Sequence, residues 1–199
     1  MPINFSARAA AMEDVSNWIK MRYEVQDEWG LLSKLLDFDL FQRGRQKTIF
    51  NLMQWKDAFM EEQIYVFDYA YTRGSGKSKT RHLQTVFFMD SKHLGLPEFL
   101  MKPETFFYKV GAFLGMQDID FESHPQFSDQ YHLQSSDEER LRGLVTDEML
   151  HFFTVEKNWS LEGIGYYLIF YKNNKLLSPA TVQHFYNRGM ALYKELKGR

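Results

Sequence analysis

A chain of 199 residues, 44% hydrophobic and 17% aromatic, holds enough apolar side chains for one packed domain and is far from the composition of disorder. Its 24 Lys and Arg against 26 Asp and Glu give a formal charge of −2, which argues against nucleic-acid binding over the whole surface. With no cysteine, disulfides, thiolate metal sites and cysteine nucleophiles are excluded, and a reducing, cytoplasmic setting fits; neither a signal-peptide core nor an apolar run of about 18 residues occurs, so the chain reads as soluble.

Residues 6–27 read as a first helix, with Met12, Val15, Trp18 or Ile19, and Arg22 recurring every three to four positions and Trp29-Gly30 ending it. Between Phe38 and Met101 the pattern turns to short β-like runs, FDLFQ, TIFNLMQW, QIYVFDYAY, HLQTVFFM and PEFLMK, which predict an antiparallel meander. In the third run Tyr65, Phe67, Tyr69 and Tyr71 fall on one strand face, and Ile64, Val66 and Ala70 on the other.

The link between the third and fourth runs contains GSGKS, residues 74–78, which suggests a phosphate-binding loop. That motif needs a glycine five residues before the one that precedes its lysine, and here the position holds Tyr71. No helical period follows Ser78 either, so the segment reads as a hairpin loop whose glycines take turn positions, and no nucleotide is expected there. Arg73, Lys77, Lys79, Arg81 and His82 give this tip a basic run without an acid. It is a candidate contact for an anionic membrane surface or another polyanion, or a charged tip that keeps the hairpin soluble.

Pro103-Glu104 opens a predicted helix, with Phe106, Phe107, Val110, Phe113 and Leu114 on its apolar face and Gly115 at its end. After an irregular stretch, Ser136 and Glu139 form a capping box, and Thr146 caps a helix through Phe153. WSLEGIGYYLIFYKNNKLLS reads as a second hairpin, with Gly163 and Gly165 bulging its first arm and Asn173-Asn174 able to take left-handed turn positions. Ser178-Pro179 starts the closing helix, whose apolar face carries Val182, Phe185, Tyr186, Tyr193 and Leu196. The expectation is a single α+β domain over 1–199, an antiparallel β-meander with N-terminal, central and C-terminal helices packed on the sheet. Residues 1–30 form the first helix, 38–102 are mainly strands, 104–156 mainly helical, and 159–199 a hairpin plus the last helix.

The segments FDYAYTRGSGKSKTRHLQTVFF, LPEFLMKPE and GMQDIDFESHPQFSDQYHL, in this order, resemble an uncharacterised bacterial family sharing the patterns FDY.Y, QTV, LP.F...PE and DIDF..HP.FS..Y.L. The resemblance spans roughly residues 38–171. It implies one intact domain, in relatives often preceded by membrane-spanning helices, and brings no activity or catalytic residue with it.

Asp118, Asp120, Glu122 and His124 alternate, so an extended backbone would set all four on one side as ligands for a divalent cation. The other reading is a solvated connection anchored by Ile119 and Phe121, its carboxylates capping turns. The six histidines form no HExxH or HxH pair and no G-x-S-x-G elbow occurs, so no catalytic residue and no cofactor are assigned. Nine acids against Arg140 and Arg142 between Asp118 and Glu148 oppose the basic tip. The expected function is a non-catalytic interaction or scaffolding domain with a protein or an anionic membrane surface as partner. A metal-dependent hydrolase using 118–124 and an apolar small-ligand binder are the alternatives.

Overall fold

Asn4 accepts a hydrogen bond from the Ala7 N–H and so starts α1, Phe5–Trp18. The computed structural model describes residues 4–106 and 117–197. The helix does not continue to residue 27. Lys20 takes a left-handed φ of 59°, and the chain turns back as β1, Arg22–Gln26, where Tyr23 and Val25 suit a strand that can pair along its length.

The run FDLFQ is likewise not a strand. Two short helices, α2 Leu31–Lys34 and α3 Asp39–Gln42, precede β2, Arg45–Lys56. The free N–H groups at the start of α3, those of Asp39 and Leu40, donate to the Glu162 carboxylate at 2.7 and 3.3 Å. A cap supplied 123 residues away in sequence is invisible to local pattern.

β3, Glu62–Arg73, and β4, Thr80–Ser91, form the expected hairpin, in register from Glu62 opposite Ser91 to Arg73 opposite Thr80. Then follow β5 Leu96–Pro103, β6 Tyr131–Ser135, α5 Glu138–Leu144, α6 Asp147–Val155, β7 Ser160–Gly165, β8 Tyr167–Tyr171 and α7 Pro179–Leu196, with α4, Pro125–Ser128, ahead of β6. All strands join one antiparallel sheet in the order β1-β2-β3-β4-β8-β7-β5-β6. The meander is therefore unbroken only from β1 to β4. β8 takes the free edge of β4, Val86 opposite Tyr171, and β5 pairs with β7 instead.

The second hairpin turns at Gly165 and Tyr166, between Ile164 and Tyr167, not at Asn173-Asn174. Gly165 has φ 57°, the backbone that a two-residue turn demands; Asn174 is left-handed too, at φ 53°, but beyond the hairpin. The cap of α5 is Asp137, accepting from Arg140 N at 3.0 Å, rather than Ser136, while Thr146 caps α6 as its sequence suggests. β5 runs through Pro103 into one 3₁₀ turn, Glu104–Phe106; the rest of the helix expected to Gly115 lies outside the described residues.

Both sheet faces are covered, so the central strands are buried on both sides, while β1 at the edge stays largely exposed. Met53, Val66, Phe87 and Phe170 meet α1 and α4 to α7 through Met12, Phe127, Leu141, Met149 and Phe185. The face carrying Tyr65, Phe67, Tyr69 and Tyr71 is covered by Leu31, Leu35, Phe38, Leu40 and Phe41. The aromatic face is a filled core, and FDLFQ supplies its lid. Into that lid is set a closed charge group: Asp39 meets Lys102 and Arg43, and Glu162 also accepts from the Tyr171 hydroxyl at 2.6 Å. Among the described residues no helix is long and apolar enough to cross a membrane.

Candidate anion-binding cleft

On the helical side of the sheet α1 lies against α7, and between them opens a cleft of about 810 Å³, within the usual size of ligand sites. Ala7 and Ala11 of α1 leave the room. Trp159, Phe185 and Leu177 give it apolar lining, and Arg8, Lys172, Lys175, His184 and Arg188 line it without any acidic side chain. His184 and Arg188 are four apart on α7 and so share its cleft-facing side with Thr181 and Ser178.

The cations are not equivalent. Arg8, nearly buried, is spent on structure: it grips both carboxylate oxygens of Asp68 at 2.7 Å and donates to the Leu177 carbonyl at 2.7 Å. Asp68 is further held by Asn51 at 2.7 Å and Thr85 at 2.9 Å, and Tyr23 donates to Asn51. Thr85 Oγ1 also accepts from Leu177 N, and its N–H donates to the Lys175 carbonyl. This network ties the 175–177 wall of the cleft to the sheet. Arg188 pairs with Glu156 and lies over the Phe152 and Trp159 rings, 6.0 and 5.8 Å from their centroids.

Lys172 differs. Its ammonium stands 4.3 Å over the Trp159 ring, and among the described residues no carboxylate forms an ion pair with it. Burial lowers its pKa below the ordinary lysine value; Glu156 works against this, and Arg188 and Lys175 add to it. Trp159 is 2% exposed, stacked on Phe170 at 4.4 Å and Phe185 at 5.5 Å, and its buried indole N–H meets no acceptor among the described residues. A half-buried cation held on a fixed ring is chemistry for holding an anion.

The sequence-derived candidates lie elsewhere. At the β3–β4 tip Arg73, Lys77 and Lys79 are exposed, but Arg81 donates to the Gln46 carbonyl at 2.6 Å, and His82 stacks on Tyr71 and contacts Asn174 at 2.7 Å. Gly74 has φ 76°, and a Cβ there would meet the Ser78 carbonyl oxygen at 2.3 Å, so GSGKS closes on itself as a tight loop. The four side chains of 118–124 do not converge. Asp118 turns to His132, 2.7 Å away, and to Leu133 N; His124 faces Asp147 at 3.8 Å; Asp120 and Glu122 are exposed. Among the described residues Asp118 joins a metal-like group with Glu104 and His132, whose ligand atoms lie within 4.8 Å of one another.

The fold as a whole is similar to the crystal structure of the mycobacterial trehalose monomycolate transport factor A, TtfA, with a TM-score of 0.67 over 97% of this chain and 98% of that one. At 10% identity this likeness shows the fold alone. No protein-family model matches the sequence, and no curated protein matches it.

Proposed function

We propose that the chain is a non-catalytic interaction domain that holds an anionic group of its ligand in the cleft between α1 and α7. One observation carries the reading: Lys172, partly desolvated on Trp159, forms no ion pair among the described residues, and the nearby Glu156 is paired with Arg188, so an incoming anion would supply a direct partner. The similarity in fold to a transport factor is in keeping with binding rather than chemistry. The resemblance to an uncharacterised bacterial family with membrane anchors, and a cytoplasmic setting, belong to the same reading.

The test uses inorganic phosphate and the indole N–H resonance of Trp159, assigned with Trp159→Phe. Phosphate at millimolar concentration is expected to shift that resonance and not those of the exposed Trp18 and Trp29, with Lys172→Gln moving the response to higher phosphate concentration. A resonance that stays fixed up to saturating phosphate defeats the proposal. A second reading, a divalent cation held by Glu104, Asp118 and His132, draws on their proximity. Metal analysis of the purified protein, repeated on Asp118→Asn, checks it: a stoichiometric ion lost in the variant supports it, and a metal-free wild type ends it.

A further inference from the structure

The cleft does not end at α7. A second groove of about 320 Å³ follows along the same side of the helix, lined by Met149, Phe152, Ala191 and Leu192, and it shares His184 and Arg188 with the first. The shared side chains make the two depressions one path along α7: a basic end at Lys172 and Lys175, then His184 and Arg188, then an apolar end against α6. The acids of the second groove, Glu148 and Glu195, belong to that far end, where a negative group would be repelled. With Glu156 at the basic end taken up by Arg188, charge orients an occupant. Its anion belongs at Lys172 and Lys175, and its apolar part on Phe152 and Leu192.

From this we infer that the ligand is a single-chain anionic amphiphile, one phosphate or carboxylate carrying an alkyl chain, lying along α7 with its head at Lys172 and its tail in the Met149–Leu192 groove. The inference rests on the anion-binding reading above and adds the tail. An acyl chain suits the second groove because Met149, Phe152 and Leu192 present carbon, and Arg188, held between the Phe152 and Trp159 rings and paired with Glu156, offers its stem to the passing chain. Free anions and lipid headgroups share the chemistry of the head; only the tail tells them apart.

The experiment titrates the wild-type protein with inorganic phosphate, with dodecyl phosphate below its micellar concentration, and with neutral dodecanol, by calorimetry and by the Trp159 resonance. Dodecyl phosphate is expected to bind at least about 100-fold more tightly than phosphate, the gain from burying about four methylenes. Ala191→Glu, at an exposed helical position facing the groove, is expected to remove that gain and leave phosphate binding intact, while Lys172→Gln weakens both. Thermal unfolding of each variant confirms that it folds. Phosphate binding without a gain from the chain, or a gain that survives Ala191→Glu, overturns the amphiphile and leaves the anion cleft standing. Binding of neither anion overturns both. An acidic peptide that needs Lys172, ignores Ala191→Glu and binds as tightly as dodecyl phosphate would assign the cleft to a protein partner instead.

Discussion

Trp159 and Lys172 face each other because they occupy the two positions next beyond the last rung of the β7–β8 hairpin, Ser160 opposite Tyr171. A cross-strand pair at that place needs no helix or loop to hold it. Since burial depresses the Lys172 pKa, the folded protein binds fewer protons here than the unfolded chain, and stability at this residue rises as pH climbs from the folded value toward the unfolded value of about 10.4. An anion reverses this by favouring the cation. Phosphate affinity should therefore fall between pH 8 and 10, where phosphate itself does not change charge, and should fall less in Lys172→Gln, from a weaker start. Calorimetry at the two pH values measures it, and equal affinities would remove Lys172 from the site.

That pair also marks where sequence reading stopped. The strands, the β3–β4 hairpin, the α6 cap and α7 follow from alternation, glycines and capping residues, each a local signal. A turn at Asn173-Asn174, the residues that suit left-handed positions, shifts every rung and separates Trp159 from Lys172; with the turn at Gly165-Tyr166 the pair is legible from spacing alone. The cleft has no such signal, because Ala7, Lys172 and Arg188 meet only once α1 and α7 cross the same sheet. FDLFQ was misread for a related reason: alternation suits a strand, but Glu162 caps the segment as a helix from across the fold.

Lys102 and Asp39 are 2% and 8% exposed in their side chains and in contact within the aromatic core. Burial raises the Asp39 carboxyl, but Arg43 and Lys102 outweigh it and hold it below the ordinary carboxylate value. Two cations, Lys102 and Arg43, balance two acids, Asp39 and Glu162, so loss of one leaves a buried charge unmatched. Lys102→Met should cost about 3–5 kcal/mol. Adding Asp39→Asn should return part of that, with a coupling of at least about 1 kcal/mol in the double-mutant cycle. Additive losses in chemical denaturation would show that the four charges do not act as a group.

At the end of α7, the Tyr193 hydroxyl and the Lys197 ammonium both donate to Glu62 Oε1 at 2.6 Å and fasten the helix to the start of β3. Burial raises the Glu62 pKa, and the hydrogen bonds from Lys197 and Tyr193 more than offset it, leaving it below the ordinary value. A depressed carboxyl stabilises above its unfolded pKa of about 4.3, and that contribution is lost as pH falls through the lower folded value. Wild type should therefore exceed Glu62→Gln in stability at pH 7, and the difference should shrink below about pH 4. A gap constant from pH 7 to 3 would contradict the latch.

Lys77 stands exposed in the closed loop at the β3–β4 tip and has no helix behind it. Lys77→Ala should change stability by less than about 0.5 kcal/mol. Neither protein should bind ATP or GTP with magnesium; micromolar binding lost in the variant would restore a phosphate loop to GSGKS. Vesicle sedimentation at low and moderate salt tests the tip as a membrane contact, which should weaken with salt and in the variant.

Gly189 lies inside α7, where helix propensity alone makes Gly189→Ala favourable by about 1 kcal/mol. The packing says otherwise. A Cβ at Gly189 would come within 2.6–2.8 Å of Phe87 Cγ, Cδ1 and Cδ2, the root of a ring that is 0% exposed and wedged under the helix. Phe87 meets Phe185 and Tyr186 edge-on or tilted from the same helix, so it cannot move aside without disturbing both. Overpacking of this kind costs about 1–3 kcal/mol, and here it should exceed the propensity gain. Gly189→Ala should lower the unfolding temperature, and Phe87→Leu, which removes the ring, should turn the same glycine substitution neutral or stabilising. A glycine variant more stable than wild type in the presence of Phe87 would mean that α7 rides higher above β4 than the packing shows.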